Sequence, residues 1–437
     1  MVEYLDANHL LNVNHHGSRH SHNTATALIQ MYDQWVDEME DGKMVGIMMI
    51  DLSAAFDMVN HQLLVKKLRL FGFEEEVVNW LDSYLSGRTQ SVYIDGCMSP
   101  PLNLSCGVPQ GSILGPLLYI LFTNDIPDLV HDHQISFAAP TPFCESCGSI
   151  VCYVDDATYS HGDKDPETLS SSLTDQYNKI SKYMAANKLV INDDKTQLVV
   201  MGHKKTEALR EQVTLQAGQH TIQPSSTAKL LGATVSQDAK WKFHILEGEQ
   251  SQIRQLTSRV NGLCLISGRA PFKTRLMVAN GIVTSKLCYL IQLWGGCENY
   301  LLHALQVLQN KAARAVTQTS WFTSTRQLLL RCNWLSVKQL VFYQSALMTH
   351  KIVTTGSPHY LANKMGTSPP YGTRQDTSGG IRFGEIFSSR HSLSYNSFVY
   401  RATTDYNSLP DNIRSISNLS SFKYKLCQWV KSNIPIT

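Results

Sequence analysis

Three aspartates, Asp51, Asp155 and Asp156, are the residues of this 437-residue chain whose type and spacing point most plainly to chemistry. Asp155 and Asp156 are adjacent within an apolar run, Ile150-Val151-Cys152-Tyr153-Val154 before them and Ala157-Thr158-Tyr159 after. Carboxylates side by side repel each other, and desolvating them together is costly unless a cation shares them. The dipeptide alone fits a solvent-exposed turn equally well. Asp51 breaks the tie, because it closes a second apolar run, residues 45–50, that reads as a buried strand. Three carboxylates on rigid strands suit Mg²⁺, a hard ion that takes oxygen ligands and keeps room for water and phosphate. Two such ions roughly 4 Å apart clamp the attacking and leaving oxygens of an in-line displacement. One would lower the pKa of a primer 3′-hydroxyl and the other would neutralise charge developing on pyrophosphate. The chemistry suggested is nucleotidyl transfer.

Several elements must hold those acids. Two β-rich runs bracketing Asp155-Asp156 predict a hairpin with the acids at its turn. Gln110 lies in a Pro/Gly-punctuated turn before residues 117–122, which read as a buried helix. Asp165, Pro166 and Glu167 read as an N-cap, a first-turn proline and a favourable first-turn acid. Leu169, Leu173, Tyr177, Ile180 and Met184 then recur at helical spacing, predicting a helix that lays its apolar stripe on the sheet and ends near Asn187. Strands are predicted at 189–191 and 198–201, joined by the turn Asn192-Asp193-Asp194-Lys195-Thr196, and further helices at 61–71 and 74–85. The opening histidines, His9, His15, His16, His20 and His22, read as a polar loop rather than a metal cluster. Cys144 and Cys147 with Cys152 spell half a zinc site with no matching second pair, so Cys152 reads as a strand residue beside the hairpin. Residues 366–382, rich in Gly, Ser, Thr and Pro, read as a linker.

Charge divides the chain. Overall it carries 38 Lys/Arg against 36 Asp/Glu, a formal net of +2. Residues 1–249 hold 17 Lys/Arg against 31 acids, a net of −14, whereas residues 250–437 hold 21 against 5, a net of +16. Between Gln250 and Gln375 fourteen Lys/Arg face a single acid, Glu298. A solvated surface usually mixes signs; one-sided composition is the electrostatic footprint of a phosphate-gripping surface. No run of eighteen apolar residues predicts a membrane span, and no basic or apolar leader opens the sequence. Ten cysteines scattered over this length suggest reduced thiols.

The ordered set Asp51-Leu-Ser-Ala-Ala-Phe56-Asp57, Gly107-Val-Pro-Gln110-Gly-Ser-Ile-Leu-Gly-Pro116 and Tyr153-Val-Asp-Asp156 resembles reverse transcriptase, most closely that of non-LTR, LINE-type, jockey-like retrotransposons. The resemblance implies an α+β fold: a right-hand polymerase palm, an antiparallel sheet with packed helices, followed by a helical thumb and a C-terminal extension. It implies partial fingers over 1–44, palm over 45–235, thumb over 236–330 and the extension over 331–437. Asp51, Asp155 and Asp156 match the metal-binding triad for two Mg²⁺, with Mn²⁺ as a substitute and the Leu52 carbonyl as an extra ligand. Phe56 matches the ring that packs under the incoming sugar and excludes a 2′-hydroxyl, and Gln110 sits in the turn beneath template and nucleotide. Lys195 matches the Asn-x-x-Lys-Thr motif and is a candidate general acid toward pyrophosphate. His15-His16-Gly17-Ser18-Arg19 resembles a fingers motif in which Arg19 meets template or a nucleotide phosphate. The segment around Gly232 resembles the strand pair that holds a primer terminus, and Arg254, Arg259, Arg269, Lys273 and Arg275 are the candidate nucleic-acid contacts of the thumb. Segments at 305–316, 333–337 and 406–410 also match the family's C-terminal regions.

The implied partners are an RNA template, a DNA primer or target and deoxynucleotides, in the cytoplasm and/or nucleus. Val154 and Ser18 depart from the family's pattern. The sequence also lacks the endonuclease and first fingers motifs found upstream in LINE-type proteins, so a truncated element is expected. The alternative function is a catalytically inactive nucleic-acid-binding remnant.

Overall fold

The computed structural model describes residues 1–130, 148–366 and 397–436, and these form two compact units of mixed helix and sheet. Residues 1–27 and 42–226 make the first unit, residues 28–41 and 227–437 the second. The first unit ends at Ser226, nine residues before the end of the segment read as palm. Thr24–Glu40 (α1), expected with the fingers, lies mostly in the second unit.

The first unit is organised by one antiparallel four-stranded sheet. Met44–Ile50 (β1) is buried at all seven positions, as its unbroken apolar run requires, and is central. His61–Leu70 (α2), Glu75–Leu85 (α3) and Leu114–Thr123 (α4) follow in sequence. Ser149–Tyr153 (β2) and Asp156–Asp163 (β3) form the predicted hairpin. Pro166–Ala186 (α5) starts where the Asp-Pro-Glu signal places it: the Asp165 carboxylate accepts the Thr168 amide at 2.8 Å. Its Leu169, Leu173, Tyr177, Ile180 and Met184 are all buried. Gln197–Met201 (β4) completes the sheet, in the order β2-β3-β1-β4.

Two expectations fail here. Residues 189–191 form no strand; a single bridge, Leu52 to Ile191, is all that pairs. Lys188 takes a left-handed φ of +60° at the end of α5, and only three residues remain before the next turn. His15 and His16 do not lie in a polar loop but are fully buried. Residues 14–16 run parallel to β2, with Cys152 donating to the Asn14 carbonyl at 2.9 Å and His16 donating to the Cys152 carbonyl at 2.8 Å. That segment covers a sheet edge that would otherwise expose unpaired backbone groups. Burial, reinforced by the Arg19 charge, pushes the His15 imidazole down to about 3, so it is neutral at physiological pH.

Besides most of α1, the second unit contains a short hairpin, Thr227–Leu230 (β5) and Ala233–Ser236 (β6), and is otherwise mainly helical. Gln252–Ser267 (α6), Phe272–Ala279 (α7), Asn299–Thr317 (α8), Thr325–Cys332 (α9) and Val337–Thr355 (α10) succeed one another. Phe398–Asn407 (α11) and Leu419–Asn433 (α12) close the chain. The motif at 333–337 works as punctuation. Asn333 ends α9 at φ +56°, and Ser336 forms a capping box with Gln339 to begin α10. Tyr406 of α11 meets His350 of α10 at 3.0 Å, and the His350 ring stacks on Phe422 of α12 at 3.6 Å between centroids.

Among the described residues no helix is long and apolar enough to cross a membrane, and the eight cysteines there are free. Cys152 is a buried strand residue whose thiol is raised in pKa by that burial. Cys144, Cys147 and nearly all of the expected linker, from 367 onward, lie outside the described residues.

Candidate active site

Register brings the acids together. β1 and β3 pair from Met44 with Asp163 to Ile50 with Ala157, so the ladder ends one residue short of both Asp51 and Asp156 and delivers them to the same end of the sheet. Asp155 occupies the two-residue turn between Tyr153 and Asp156. The three charges are felt locally. Partial burial, then Asp155, then Asp51, push the Asp156 carboxyl up to about 6, although its side chain stays open to solvent. Three neighbouring carboxylates form an all-oxygen donor set that suits a hard divalent ion. In the present side-chain positions no three His, Cys, Asp or Glu residues among those described close into a metal cage.

The turn that presents Asp155 is strained. Val154 has φ +60°, a left-handed conformation costing an L-residue about 1–2 kcal/mol and most awkward for a β-branched side chain. Gly17 backs it. A Cβ at Gly17 would lie 2.6 Å from Val154 Cγ2 and 2.8 Å from the Val154 amide nitrogen, which cannot yield. The histidine-glycine segment therefore braces the acidic turn, a role hidden in sequence because the two sites lie far apart.

On the other side of β1, the Asp51 carbonyl accepts the Asn192 amide at 2.9 Å, and Ser53 donates to the Val190 carbonyl at 2.9 Å. Leu52 between them is buried, its backbone turned away from residues 190–192. The same Asn192 carbonyl accepts the Lys195 amide at 3.1 Å, closing the turn that carries Lys195 to the site. Lys195 Nζ stands 3.3 Å from Asp51 Oδ2.

The segments around Phe56 and Gln110 form one piece. Val108 donates to the Phe56 carbonyl at 2.9 Å, Gly107 to the Val59 carbonyl at 2.8 Å, and Gln110 Nε2 to Asp57 Oδ1 at 3.0 Å. Gly107 has φ +91°, and a Cβ there would sit 2.9 Å from the Asp57 carbonyl oxygen, so this glycine serves the junction itself. The Phe56 ring stacks on Tyr119 of α4, centroids 4.5 Å apart and planes 20° apart. Tyr119 is fully buried, a support the sequence did not single out. Burial, then the Asp155 charge, raise the pKa of its hydroxyl.

Arg19 does not extend toward a ligand through Nη1. That nitrogen donates to the carbonyls of Asn12 and His15 (3.0 Å to the latter), bracing the loop against β2.

In the second unit, Gly232 and Arg254 line a notch of about 410 Å³ together with Lys229, Glu249, Lys286 and Tyr289. Gly232 supplies φ +80° in the β5–β6 turn, and Tyr289 closes over it, its hydroxyl donating to the Leu231 carbonyl at 2.7 Å. Burial, then the Arg259 and Lys229 charges, lower the pKa of Lys286. Cations crowded in this way favour an anion between them. Lys229 and Lys286 are contributions the sequence reading missed, because Lys286 is brought there only by the fold. Arg269 and Lys273 are exposed. Arg275 is not: it is buried, donating to the carbonyls of Val316 (2.8 Å), Ser267 (3.0 Å) and Ala270. Its guanidinium satisfies carbonyls at the ends of α6 and α8 that have no partner within the helix, which makes it a structural residue.

A family model described as reverse transcriptase (RNA-dependent DNA polymerase) matches residues 2–235, more than half of the chain. The RNA-directed DNA polymerase from mobile element jockey of Drosophila funebris is 25% identical over 312 residues, covering 71% of this chain and 32% of that protein. The probable RNA-directed DNA polymerase from transposon BS of Drosophila melanogaster is 27% identical over 312 residues, 70% of this chain and 32% of that one. The chain spans about a third of the length of these curated relatives. Among solved structures, apo telomerase from Candida tropicalis aligns over 83% of this chain and 58% of its own, at 11% identity and a TM-score of 0.42. With the acids gathered at the end of the β1–β3 ladder and the ordered motifs around them, the match over residues 2–235 means that this chain belongs to the reverse transcriptase family.

Proposed function

We propose that the chain is an RNA-directed DNA polymerase of a retrotransposon, extending a primer 3′-hydroxyl with deoxynucleotides on an RNA template. The observation that carries this reading is the β1–β3 register, which ends at Ile50 with Ala157, one residue short of both Asp51 and Asp156, with Asp155 in the adjoining turn. The sheet of the first unit is the palm, residues 45–235 in the family's terms, preceded by partial fingers and followed by a helical thumb and a C-terminal extension.

Asp51, Asp155 and Asp156 would hold the metal ions, with the Leu52 carbonyl as a further oxygen. Two Mg²⁺ bound there, or Mn²⁺ in their place, would acidify the primer hydroxyl and offset charge on the pyrophosphate. Phe56, fixed by Tyr119, bars the 2′-hydroxyl of a ribonucleotide. Gln110, tied to Asp57, lines the floor under template and nucleotide. Lys195 gives its proton to the departing pyrophosphate. Lys229, Arg254 and Lys286 neutralise phosphates of the nucleic acid at the notch, with Arg259, Arg269 and Lys273 adding to the same field.

The direct test is extension of a labelled DNA primer on an RNA template with deoxynucleotides and Mg²⁺. Template-directed lengthening is the expected result; an unextended primer in both Mg²⁺ and Mn²⁺ removes the reading and leaves the inactive remnant. Changing Phe56→Ala should open the sugar position, lowering the preference for deoxy- over ribonucleotides by about 10- to 200-fold, the range for a small steric difference in a pocket. Unaltered discrimination would remove the role given to that ring. For the notch, log affinity for duplex should fall linearly with log salt, and Lys286→Gln should reduce the slope by about 1. An unchanged slope would take Lys286 out of the phosphate-binding set.

A further inference from the structure

The loop joining α8 to α9 exposes two large aromatic side chains that contribute nothing to the core. Trp321 is 70% and Phe322 94% solvent-exposed. The two rings are adjacent, so they form one contiguous exposed apolar patch, the kind of surface that marks interaction sites when polar groups rim it.

The loop is held in place. Ser324 caps α9, Thr323 donates to the Ser320 carbonyl at 3.1 Å, and the Thr317 and Thr319 hydroxyls meet at 2.9 Å. Arg314 of α8 lays its guanidinium against the indole, 4.6 Å from the Trp321 centroid, while its Nη2 donates to the Thr323 carbonyl at 3.3 Å. One face of the indole is thus backed by a cation and its orientation set. The rest of the ring is open. Few rotatable bonds remain to be frozen when a planar partner arrives.

The surroundings state what that partner is. No Asp or Glu occurs from Asn299 to Gln375, nor from Gln250 to Cys297. Exposed Arg326 follows the loop in the first turn of α9. Gln318 ties the start of the loop to the end of α6, donating to the Ser267 carbonyl at 2.7 Å, next to exposed Arg269. Open aromatic faces interleaved with cations and free of acids are the makings of a single-stranded nucleic-acid platform, where bases stack on rings and phosphates meet arginines.

We propose that Trp321 and Phe322 form a base-stacking platform that takes unpaired nucleotides of the nucleic acid held by this unit. The inference rests on the nucleic-acid-binding reading given above and adds a strand preference to it: the loop favours single-stranded over fully paired substrate. Stacking on an aromatic side chain is sequence-tolerant, so any unpaired base serves.

Binding of the full chain to a fluorescent duplex with a single-stranded extension, and to a blunt duplex of equal charge, tests this across a salt series. The double change Trp321→Ala with Phe322→Ala should weaken binding of the extended substrate by about 5- to 150-fold at every salt concentration, leaving the salt slope and blunt-duplex binding unaltered. Trp321→Tyr with Phe322→Tyr should restore most of the loss, since a stacking face is kept. By contrast, Arg269→Gln with Lys273→Gln should flatten the slope on both substrates. Retained affinity in the double alanine variant, or an equal loss on blunt and extended substrates, overturns the platform while the nucleic-acid reading stands. No measurable binding of either substrate by the wild-type chain overturns both.

Discussion

Replacing Asp155 by Ala is expected to lower the rate of primer extension by at least about 10²–10³-fold, the size of removing one preorganised electrostatic contact from a catalytic site. Asp155 sits in the turn between β2 and β3, where Val154 at φ +60° and the close approach of Gly17 fix the backbone. Loss of its carboxylate would remove one of the proposed oxygen ligands without disturbing the β1–β3 pairs below. The substitution has a second signature that needs no turnover. Asp156 is held up to about 6, against an ordinary 3.8, by burial first and then by Asp155 and Asp51. A carboxyl with a raised folded-state pKa contributes stability that is present below its unfolded value and lost as pH rises through the folded one. The metal-free wild type should therefore lose stability between about pH 4 and pH 6, and Asp155→Ala should lose less, because one of the charges raising Asp156 is gone. Denaturant titrations of both proteins across that interval decide it. Identical pH dependence would mean that the two carboxylates do not share a site.

The parts of the sheet that were legible in sequence are those where local chemistry and tertiary demand agree. An uninterrupted apolar run such as Met44–Ile50 has few alternatives to a central strand, and Asp165-Pro166-Glu167 is a helix start whatever surrounds it. The acid pattern was readable for a related reason: like charges among apolar residues are costly, so their placement carries information. Residues 189–191 carry the right composition for a strand but lie between a left-handed Lys188 and the turn that begins at Asn192, and only the Leu52–Ile191 bridge forms.

What stayed hidden depends on contacts between distant segments. His15 and His16 look polar by type, yet they are buried because residues 14–16 must cover the edge of β2. Nothing local to the histidines announces that edge. Arg275 has the same composition signal as Arg269 and Lys273, but its position one helical turn into α7 aims it at the carbonyl ends of α6 and α8. A charge count registers how basic a segment is and not which cations face outward. Tyr119 likewise reads as one more apolar position of α4 until the fold stacks Phe56 upon it.

Lys195 offers a sharper question than loss of activity, because its ammonium lies 3.3 Å from the Asp51 carboxylate and two roles predict different behaviour. As a general acid toward pyrophosphate it supplies a proton, and Lys195→Ala should slow the chemical step by about 10²–10⁴-fold. Lys195→Arg keeps the positive charge beside Asp51 but donates its proton poorly, since a guanidinium is not deprotonated in the working range. The general-acid role therefore predicts that Arg rescues little of the single-turnover rate and that the alkaline limb of the pH–rate profile disappears in both variants. A lysine that only balances Asp51 predicts the opposite: Arg restores the rate nearly in full, and Ala mainly changes the divalent-ion concentration needed for half-maximal extension. The pair is largely exposed, with the Lys195 side chain 67% and the Asp51 side chain 37% accessible, so breaking it costs the fold little. Single-turnover rates measured for the three proteins at saturating metal, from acid to alkaline pH, thus report on proton transfer rather than on stability.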